Sequence, residues 1–400
     1  MAEIKKLSEV VEILNGYAFE SKKYVEAGLR IIRIANVQDG VIVDNLPCFY
    51  PVNTDVNIEK YKLFENDLLL SLTGNVGRVG ILPVHMLPAV LNQRVCCLRP
   101  KSQNVSYKYL YYYLLRRCFV EDCIKASKGV AQLNLSTKWL ANYPIYIPNI
   151  SKQEHIISRI EELFSQLDVS VNELKTAKER LKVYRQAVLK EAFEGDYPQV
   201  QLKEISTAIS GYAFKSKLYT SDGKYIVVKI GNVKERHFEF SRDLTRTNEA
   251  DETILDKYLL QRGDCLITLT GSRGKRDYGF VTMIKDQTNY LLNQRVAAIR
   301  FNRKEAIPEF FQYYLASPSY RSAFFRYETG NVGQGNVGIK ALTEPIVILP
   351  NIEQQWRIVE EIESRLSVCD SIEKTVDTAL QQAEALRQSI LKKAFEGEMV

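Results

Sequence analysis

The sequence has no Pro-Pro dipeptide, so it lacks the Asn/Asp-Pro-Pro-aromatic loop with which amino-methyltransferases hold a flipped base. It has no Pro-Asp step either, which removes the commonest start of a nuclease carboxylate cluster. The three histidines, His85, His155 and His237, are scattered and form no H-E-x-x-H pair. The seven cysteines (Cys48, Cys96, Cys97, Cys118, Cys123, Cys265, Cys369) are odd in number and show no C-x-x-C spacing. That argues against a zinc site or a disulfide framework and for a reducing cytoplasm. No run of about 18 apolar residues is present, and no basic-then-apolar leader, so neither a membrane span nor secretion is expected. The stretch GQGNVGIK at 333–340 imitates a phosphate-binding loop, but no Gly-Lys-Ser/Thr follows it. These absences leave no catalytic signature in the sequence.

With 400 residues the chain has room for two or three domains. A hydrophobic share of 46% and a charged share of 26% are those of a soluble globular protein. The net charge of +6 is unevenly spread. Residues 1–150 hold 18 Lys+Arg against 13 Asp+Glu, and residues 196–351 hold 22 against 17. Residues 151–195 are balanced, and residues 352–400 hold 6 against 10. Two separated basic blocks suit a polyanion held at two places.

The chain is organised around two long amphipathic stretches, roughly 151–194 and 352–396. The first places Ile156, Ile160, Leu163, Leu167, Ser170, Leu174, Ala177, Leu181, Tyr184 and Val188 at alternating steps of four and three. That is a heptad seam. The second carries Ile358, Ile362, Cys369, Ile372, Val376, Ala379, Ala383, Leu386 and Ile390 in the same register, interrupted by Arg365. Both follow a Pro-Asn-Ile step (148–150 and 350–352) and close on AFEGD (192–196) or AFEGE (394–398), with Gly195 and Gly397 as C-cap residues.

The rest of the chain is duplicated as well. NGYAFESKKY at 15–24 matches SGYAFKSKLY at 210–219, and Asn36-Val37 matches Asn232-Val233. Leu72-Thr73-Gly74 matches Leu269-Thr270-Gly271, and LNQRV occurs at 91–95 and at 292–296. Gln132 and Asn134 match Gln334 and Asn336. The offset grows slowly from 195 to 202, so one unit of about 200 residues is present twice, with insertions between the matches. The division expected is a block over 1–150, a helix over 151–196, a second block over 197–351 and a second helix over 352–400.

The expected fold is α/β. Strands are predicted at Leu29–Val37, Asp67–Leu72 and Val90–Leu98, and at Tyr225–Val233, Asp264–Leu269 and Tyr290–Phe301. Helices are predicted at Tyr107–Ala126 and Pro308–Phe325, with a short last strand at 144–148 and at 345–350. Forty-odd helical residues reach about 60 Å at 1.5 Å per residue, and a 150-residue block is about 30–40 Å across. Antiparallel pairing of the two helices as a coiled coil lets the second block bridge them with its ends close together. It also relates the two halves by a pseudo-twofold axis.

Candidate ligand contacts come from loops and turns. The loops Thr73–Gly80 and Thr270–Gly279 combine glycines, which let backbone N–H groups approach an anion, with basic side chains. They supply Thr73, Asn75 and Arg78 in the first copy and Thr270, Ser272, Arg273, Lys275 and Arg276 in the second. A strand-connecting turn with solvated charges is the alternative. Arg94 and Arg295, inside Asn-Gln-Arg triplets read as strand residues, have the chemistry for bidentate base contacts or for buried structural hydrogen bonds. Lys22, Lys23, Lys215 and Lys217 edge the Gly-Tyr-Ala-Phe turns, whose Tyr17 and Tyr212 read more readily as structural than as base-stacking. Arg33 and Lys229 are matched basic positions in strands, next to Asn36 and Asn232. Lys128, Gln132 and Gln334 complete the set. Residues identical in both copies cannot distinguish two sequences, so they belong to scaffold or phosphate contacts. Base readout belongs to the divergent segments 38–60 and 234–257, 75–80 and 272–279, 125–134 and 326–336.

Taken together, in order and twice, the Gly-Tyr-Ala-Phe turn, the Leu-Thr-Gly loop, LNQRV, the Pro-Ile…Pro-Asn-Ile step with Gln153-Glu154 or Gln354-Gln355, and AFEG resemble the specificity subunit of type I restriction–modification systems. The resemblance covers essentially the whole chain. It implies two target-recognition domains, each reading half of a bipartite double-stranded DNA site, and two spacer helices that fix the distance between the halves. It implies two methylation subunits docked on the helices, carrying S-adenosylmethionine and methylating adenine. It also implies translocase–nuclease subunits that use ATP and magnesium. No cofactor and no metal is expected on this chain. A coiled-coil scaffold with protein- or ligand-binding end domains is the alternative, and a self-contained methyltransferase or nuclease a third reading.

Overall fold

A computed structural model of the chain describes residues 3–129, 132–240, 244–248, 250–286, 289–331 and 333–397. Within the divergent segments, residues 130–131, 241–243, 249 and 332 therefore lie outside the described residues, as does Glu398 at the second helix exit. The chain folds into two compact units, residues 1–174 with 377–400, and residues 175–376. Each long helix, Ile150–Ala192 and Ile352–Glu396, is thus shared between them.

The first unit is built on two four-stranded sheets. One is antiparallel, in the order Val11–Asn15, Val95–Pro100, Leu68–Ser71, Val79–Ile81. The other runs Phe49–Tyr50, Leu29–Ile32, Ala89–Leu91, Lys62–Leu63, with its central pair parallel. Leu68–Ser71 is apolar without alternation because both its faces are covered. Leu68 and Leu70 pack with the helices Tyr107–Leu114 and Arg117–Ala126, while Leu69 packs toward the second sheet with Ile32, Leu91 and Val95. A third cluster, of Phe19, Ile31, Tyr50 and Val90, covers the outer face of the second sheet. The segment 144–148 does form a strand, Pro144–Ile147, and pairs antiparallel with Glu3–Lys6.

The second unit repeats this plan with Ser206–Ser210, Val296–Phe301, Cys265–Thr268 and Val281–Met283 in one sheet. Tyr219–Thr220, Arg246–Thr247, Tyr225–Val228 and Tyr290–Leu292 form the other. It adds a small three-stranded sheet of Thr270–Gly271, Gly335–Val337 and Glu328–Thr329. GQGNVGIK therefore lies in a hairpin strand and the 3-10 turn Ile339–Leu342, not in a phosphate-binding loop.

Several expectations need correction. The strands read at Leu29–Val37 and Tyr225–Val233 end at Ile32 and Val228, so Arg33 and Lys229 lie just outside them, at the start of the 3-10 turns Ile34–Asn36 and Ile230–Asn232. The triplets Asn92-Gln93-Arg94 and Asn293-Gln294-Arg295 are not inside strands: they are turns at which the chain crosses from one sheet to the other. Val95 N–H returns to Asn92 O at 3.0 Å and Val296 N–H to Asn293 O at 2.9 Å, closing each turn. Tyr107–Ala126 is two helices, because Arg116 is extended and folds its guanidinium back onto Tyr113, 3.7 Å from the ring and 2.8 Å from its carbonyl. Pro308–Phe325 is also two, since Ser317 precedes Pro318 and proline disfavours helical geometry in the residue before it.

The long helices pair antiparallel within each unit. In the second, Arg185 meets Asp370 at 2.5 Å and Glu373 at 2.7 Å, and Glu191 meets Arg365 at 2.8 Å. Arg365 interrupts the heptad seam but reaches across it, with Leu366 buried beside it. In the first, Asp168 pairs with Arg387, whose guanidinium lies 4.5 Å from the Phe164 ring. Of the seam positions, Ile160 and Ile362 are fully buried and Val376 nearly so. Leu163, Leu167, Leu174 and Leu181 are half-buried. Ile372 and Leu386, expected in the seam, are 44% and 51% exposed. Burial concentrates where two adjacent columns are apolar: Ile156 with Ile157, Val188 with Leu189, Ile358 with Val359, Ile390 with Leu391. There each helix packs on the recognition block as well as on its partner, which demands a wider apolar stripe than a two-helix seam.

Candidate nucleic-acid interface

In the first unit, the loop after Leu68–Ser71 is joined to a hairpin far along the chain. Gly74 N–H donates to Leu133 O at 2.8 Å, and the Thr73 hydroxyl to Asn134 Oδ1 at 3.1 Å. Lys128 exchanges backbone hydrogen bonds with Asn134 at 3.0 and 2.8 Å, and Leu72 N–H donates to Arg94 O at 2.9 Å. Gly74 adopts φ of 70°, and a side chain there would touch Gln132 and Ile34. Thr73, Arg94, Lys128 and Gln132 thus come together on one polar face, beside the turn Ile34–Asn36. The side chains of Asn75, Arg94, Lys128 and Gln132 are exposed there.

The second unit builds the same face around a groove of about 500 Å³ lined by Thr270, Ser272, Arg295, Gln334, Lys234 and Gly231 among others. Leu269 N–H donates to Arg295 O at 3.0 Å, as Leu72 does to Arg94. Asp277 closes the loop by accepting from the Ser272 backbone at 2.6 Å and the Ser272 hydroxyl at 3.1 Å. The Ser272 N–H bond, first among its partners, holds the Asp277 carboxyl below its usual range. Arg273 donates to Gly330 O at 3.1 Å, tying loop to hairpin, and Arg276 lies 4.8 Å from the Phe325 ring. Lys275 is exposed. Lys234, missed as a single residue although it begins a divergent segment, sits on the groove wall 3.4 Å from Glu239.

Other predicted contacts have tasks inside the units. Asn36 is 2% exposed: its carbonyl accepts Arg33 N–H and its amide donates to Val43 O, both at 2.9 Å. Asn232 repeats this with Lys229 N–H at 2.9 Å and Glu239 O at 3.1 Å. Both bracket a turn, which gives them a scaffold role. Arg33 donates to Leu46 O at 2.9 Å, with its Nε buried and unpaired. Lys229 Nζ lies 4.4 Å from the Tyr219 ring. Arg78 is held by Gln38 and Asp39, each at 3.0 Å. Lys22, Lys23, Lys215 and Lys217 are exposed at short 3-10 turns beside Phe19 and Phe214, and Lys23 is paired with Glu20 at 2.9 Å. Tyr17 and Tyr212 pack edge-on to those phenylalanines, ring centroids 5.2 and 4.9 Å apart.

The sequence profile of the type I restriction modification DNA specificity domain matches residues 2–179 and again 194–382. The chain belongs to this specificity family. Two tandem specificity domains fill it, and its role in a type I restriction–modification system is to specify DNA and not to catalyse. Among its relatives, the EcoBI specificity subunit of Escherichia coli is 25% identical over 421 residues, spanning 98% of this chain and 85% of the relative. The EcoKI specificity subunit of Escherichia coli strain K12 is also 25% identical over 421 residues, spanning 99% and 89%. A solved chain from work on complex assembly and conformational transition of the type I R-M system superposes with a TM-score of 0.71 at 17% identity, covering 98% of this chain and 97% of its own. The domain is matched twice, and each copy builds its own polar face.

Proposed function

We propose that each unit reads one half of a bipartite duplex site with its polar face, and that the paired helices set the spacing between the halves. The observation that carries this is the same exposed face built twice, around Thr73 and around Thr270, from segments that diverge in sequence between the copies. Phosphate contacts fall to Arg94, Arg295, Lys128, Lys275 and Arg273, with the matched Gln132 and Gln334 beside them, and base readout to Asn75 and Ser272 on the divergent loops. Lys22, Lys215 and Lys217 extend the basic edge. Methylation subunits dock on the helices, where Ile372, Leu386, Val183 and Val368 leave apolar surface exposed. Those subunits carry S-adenosylmethionine, and translocase–nuclease subunits use ATP and magnesium. The assembly works in the cytoplasm, where the free thiols stay reduced.

A salt titration of duplex binding by the complex tests this. With on the order of six to ten phosphates neutralised, affinity falls by about 10³ to 10⁵ between 50 and 200 mM salt. Binding that ignores salt would support a protein scaffold instead.

A further inference from the structure

The two recognition loops are clasped by different arginines. In the first unit the cation comes from the loop itself: Arg78 bonds Gln38 and Asp39 on the neighbouring turn, at 3.0 Å each. The same backbone position in the second unit is Phe280. Arg78 N–H and Phe280 N–H both bond a strand hydroxyl, Ser71 or Thr268, at 3.0 Å. Gly77 and Gly279 N–H both bond the carbonyl of that strand residue, at 3.0 Å. The acidic partner is retained, since Arg236 N–H meets Val281 O as Gly40 N–H meets Val79 O, which puts Glu235 at the place of Asp39.

The missing cation is supplied from a helix. Arg321, on Pro318–Phe325, donates to the carbonyls of Gly279 at 2.7 Å, Tyr278 at 3.1 Å and Arg276 at 3.4 Å. It lies 5.2 Å from the Phe325 ring, which Arg276 also covers. Burial lowers its basicity, and Glu235 acts against that. The loop it holds is twice as long, ten residues (Thr270–Gly279) against five (Thr73–Gly77), so more backbone freedom must be removed before the loop can present a fixed face. A planar guanidinium with five donors can span three carbonyls of one loop limb, which an ammonium cannot do with the same rigidity.

We propose that Arg321 is a positioning residue for the second half-site. It touches no DNA. It fixes the return limb of the loop, so that Ser272, Arg273 and Lys275 meet the duplex in one arrangement. This rests on the reading that the loop faces DNA.

The test uses the full chain with its methylation subunits and the duplex defined by mapping its methylated adenines. Binding is compared with duplexes scrambled in the first or the second half, across a salt series, for Arg321→Ala, Arg321→Lys and Lys275→Ala. Arg321→Ala is expected to reduce discrimination at the second half at least tenfold, leaving the first half and the salt slope as in wild type. Arg321→Lys recovers little of it. Lys275→Ala, a phosphate contact, lowers the slope by about 1. A fall in salt slope for Arg321→Ala, or equal effects on both halves, or none, overturns the proposal. If Arg321→Ala does not fold, wild-type discrimination by Arg321→Lys overturns it and a second-half loss upholds it. A wild-type complex without a two-part site sinks the underlying reading and this inference with it. A two-part site that the variants leave untouched sinks the inference alone.

Discussion

Arg99 holds the buried carboxylate of Asp67 through two hydrogen bonds of 2.7 and 2.6 Å, and Asp67 also accepts the Phe64 N–H at 2.8 Å. Arg300 and Asp264 repeat the fork at 2.8 and 2.7 Å. Both carboxylates are about 1% exposed, so removing one leaves a half-buried guanidinium without its counter-charge. Asp67→Ala is expected to destabilise the first unit by about 3–5 kcal/mol, and Asp264→Ala the second by as much. Denaturant titration followed by a probe in each unit would check this; equal loss in both units from one substitution would contradict it.

Gln153 is fully buried one turn into the first long helix. Its amide donates to Asn104 O and Pro148 O at 2.8 Å, and its carbonyl accepts Ser106 N–H at 3.0 Å. Gln355 does the same with Glu305, Pro350 and Ile307. Gln153→Leu removes the partner of the buried Pro148 carbonyl and of the part-buried Asn104 and Ser106 backbone groups, at about 1–3 kcal/mol for each one kept from water. We expect the helix start to exchange its amide hydrogens markedly faster in this variant, with the second unit unaffected.

The helices separate stability from assembly. Ile390 is 5% exposed and Leu386 51%. Ile390→Ala is expected to cost about 2–5 kcal/mol, and Leu386→Ala under about 1 kcal/mol in the isolated chain. If methylation subunits cover the exposed stripe, Leu386→Ala weakens their association. Thermal melting and a pull-down of the assembled complex, run on both variants, distinguish the two effects.

Burial pushes the Cys123 thiol up from 9.0 to about 12, and raises the Cys96 thiol and the Tyr109 and Tyr320 phenols as well. The folded state therefore holds these protons when the unfolded chain has begun to lose them. Stability from Cys123 is complete below about pH 9 and is lost as pH rises toward 12. Melting temperature should fall steadily across that alkaline window. A flat profile would mean these groups are not buried as described.

Repeats were the most legible feature, and the Gly-Tyr-Ala-Phe turn meets LNQRV where the two backbones leave no room for a side chain. A side chain on Gly16 or Gly211 would fall about 2 Å from the Asn92 or Asn293 carbonyl. The long helices were legible from periodicity, but periodicity alone could not tell which seam positions lie open. Ile372 and Leu386 keep the pattern and face outward. The strands Glu3–Lys6 and Gln199–Gln201 were missed because three or four residues that pair only at their far neighbour carry no period of their own. The convergence of Thr73, Arg94 and Gln132 was legible as a set of candidates. The internal duties of Asn36, Arg33 and Arg78 were not, since hydrogen-bond partners a few residues or forty residues away leave no mark in composition.

The most direct measurement is a map of methylated adenines in cells carrying the wild-type system and in cells where residues 1–150 have been exchanged for the matching block of a relative. We expect a two-part sequence whose one half changes while the other half and the spacing stay constant. A site that changes in both halves, or in neither, would contradict one half-site per unit.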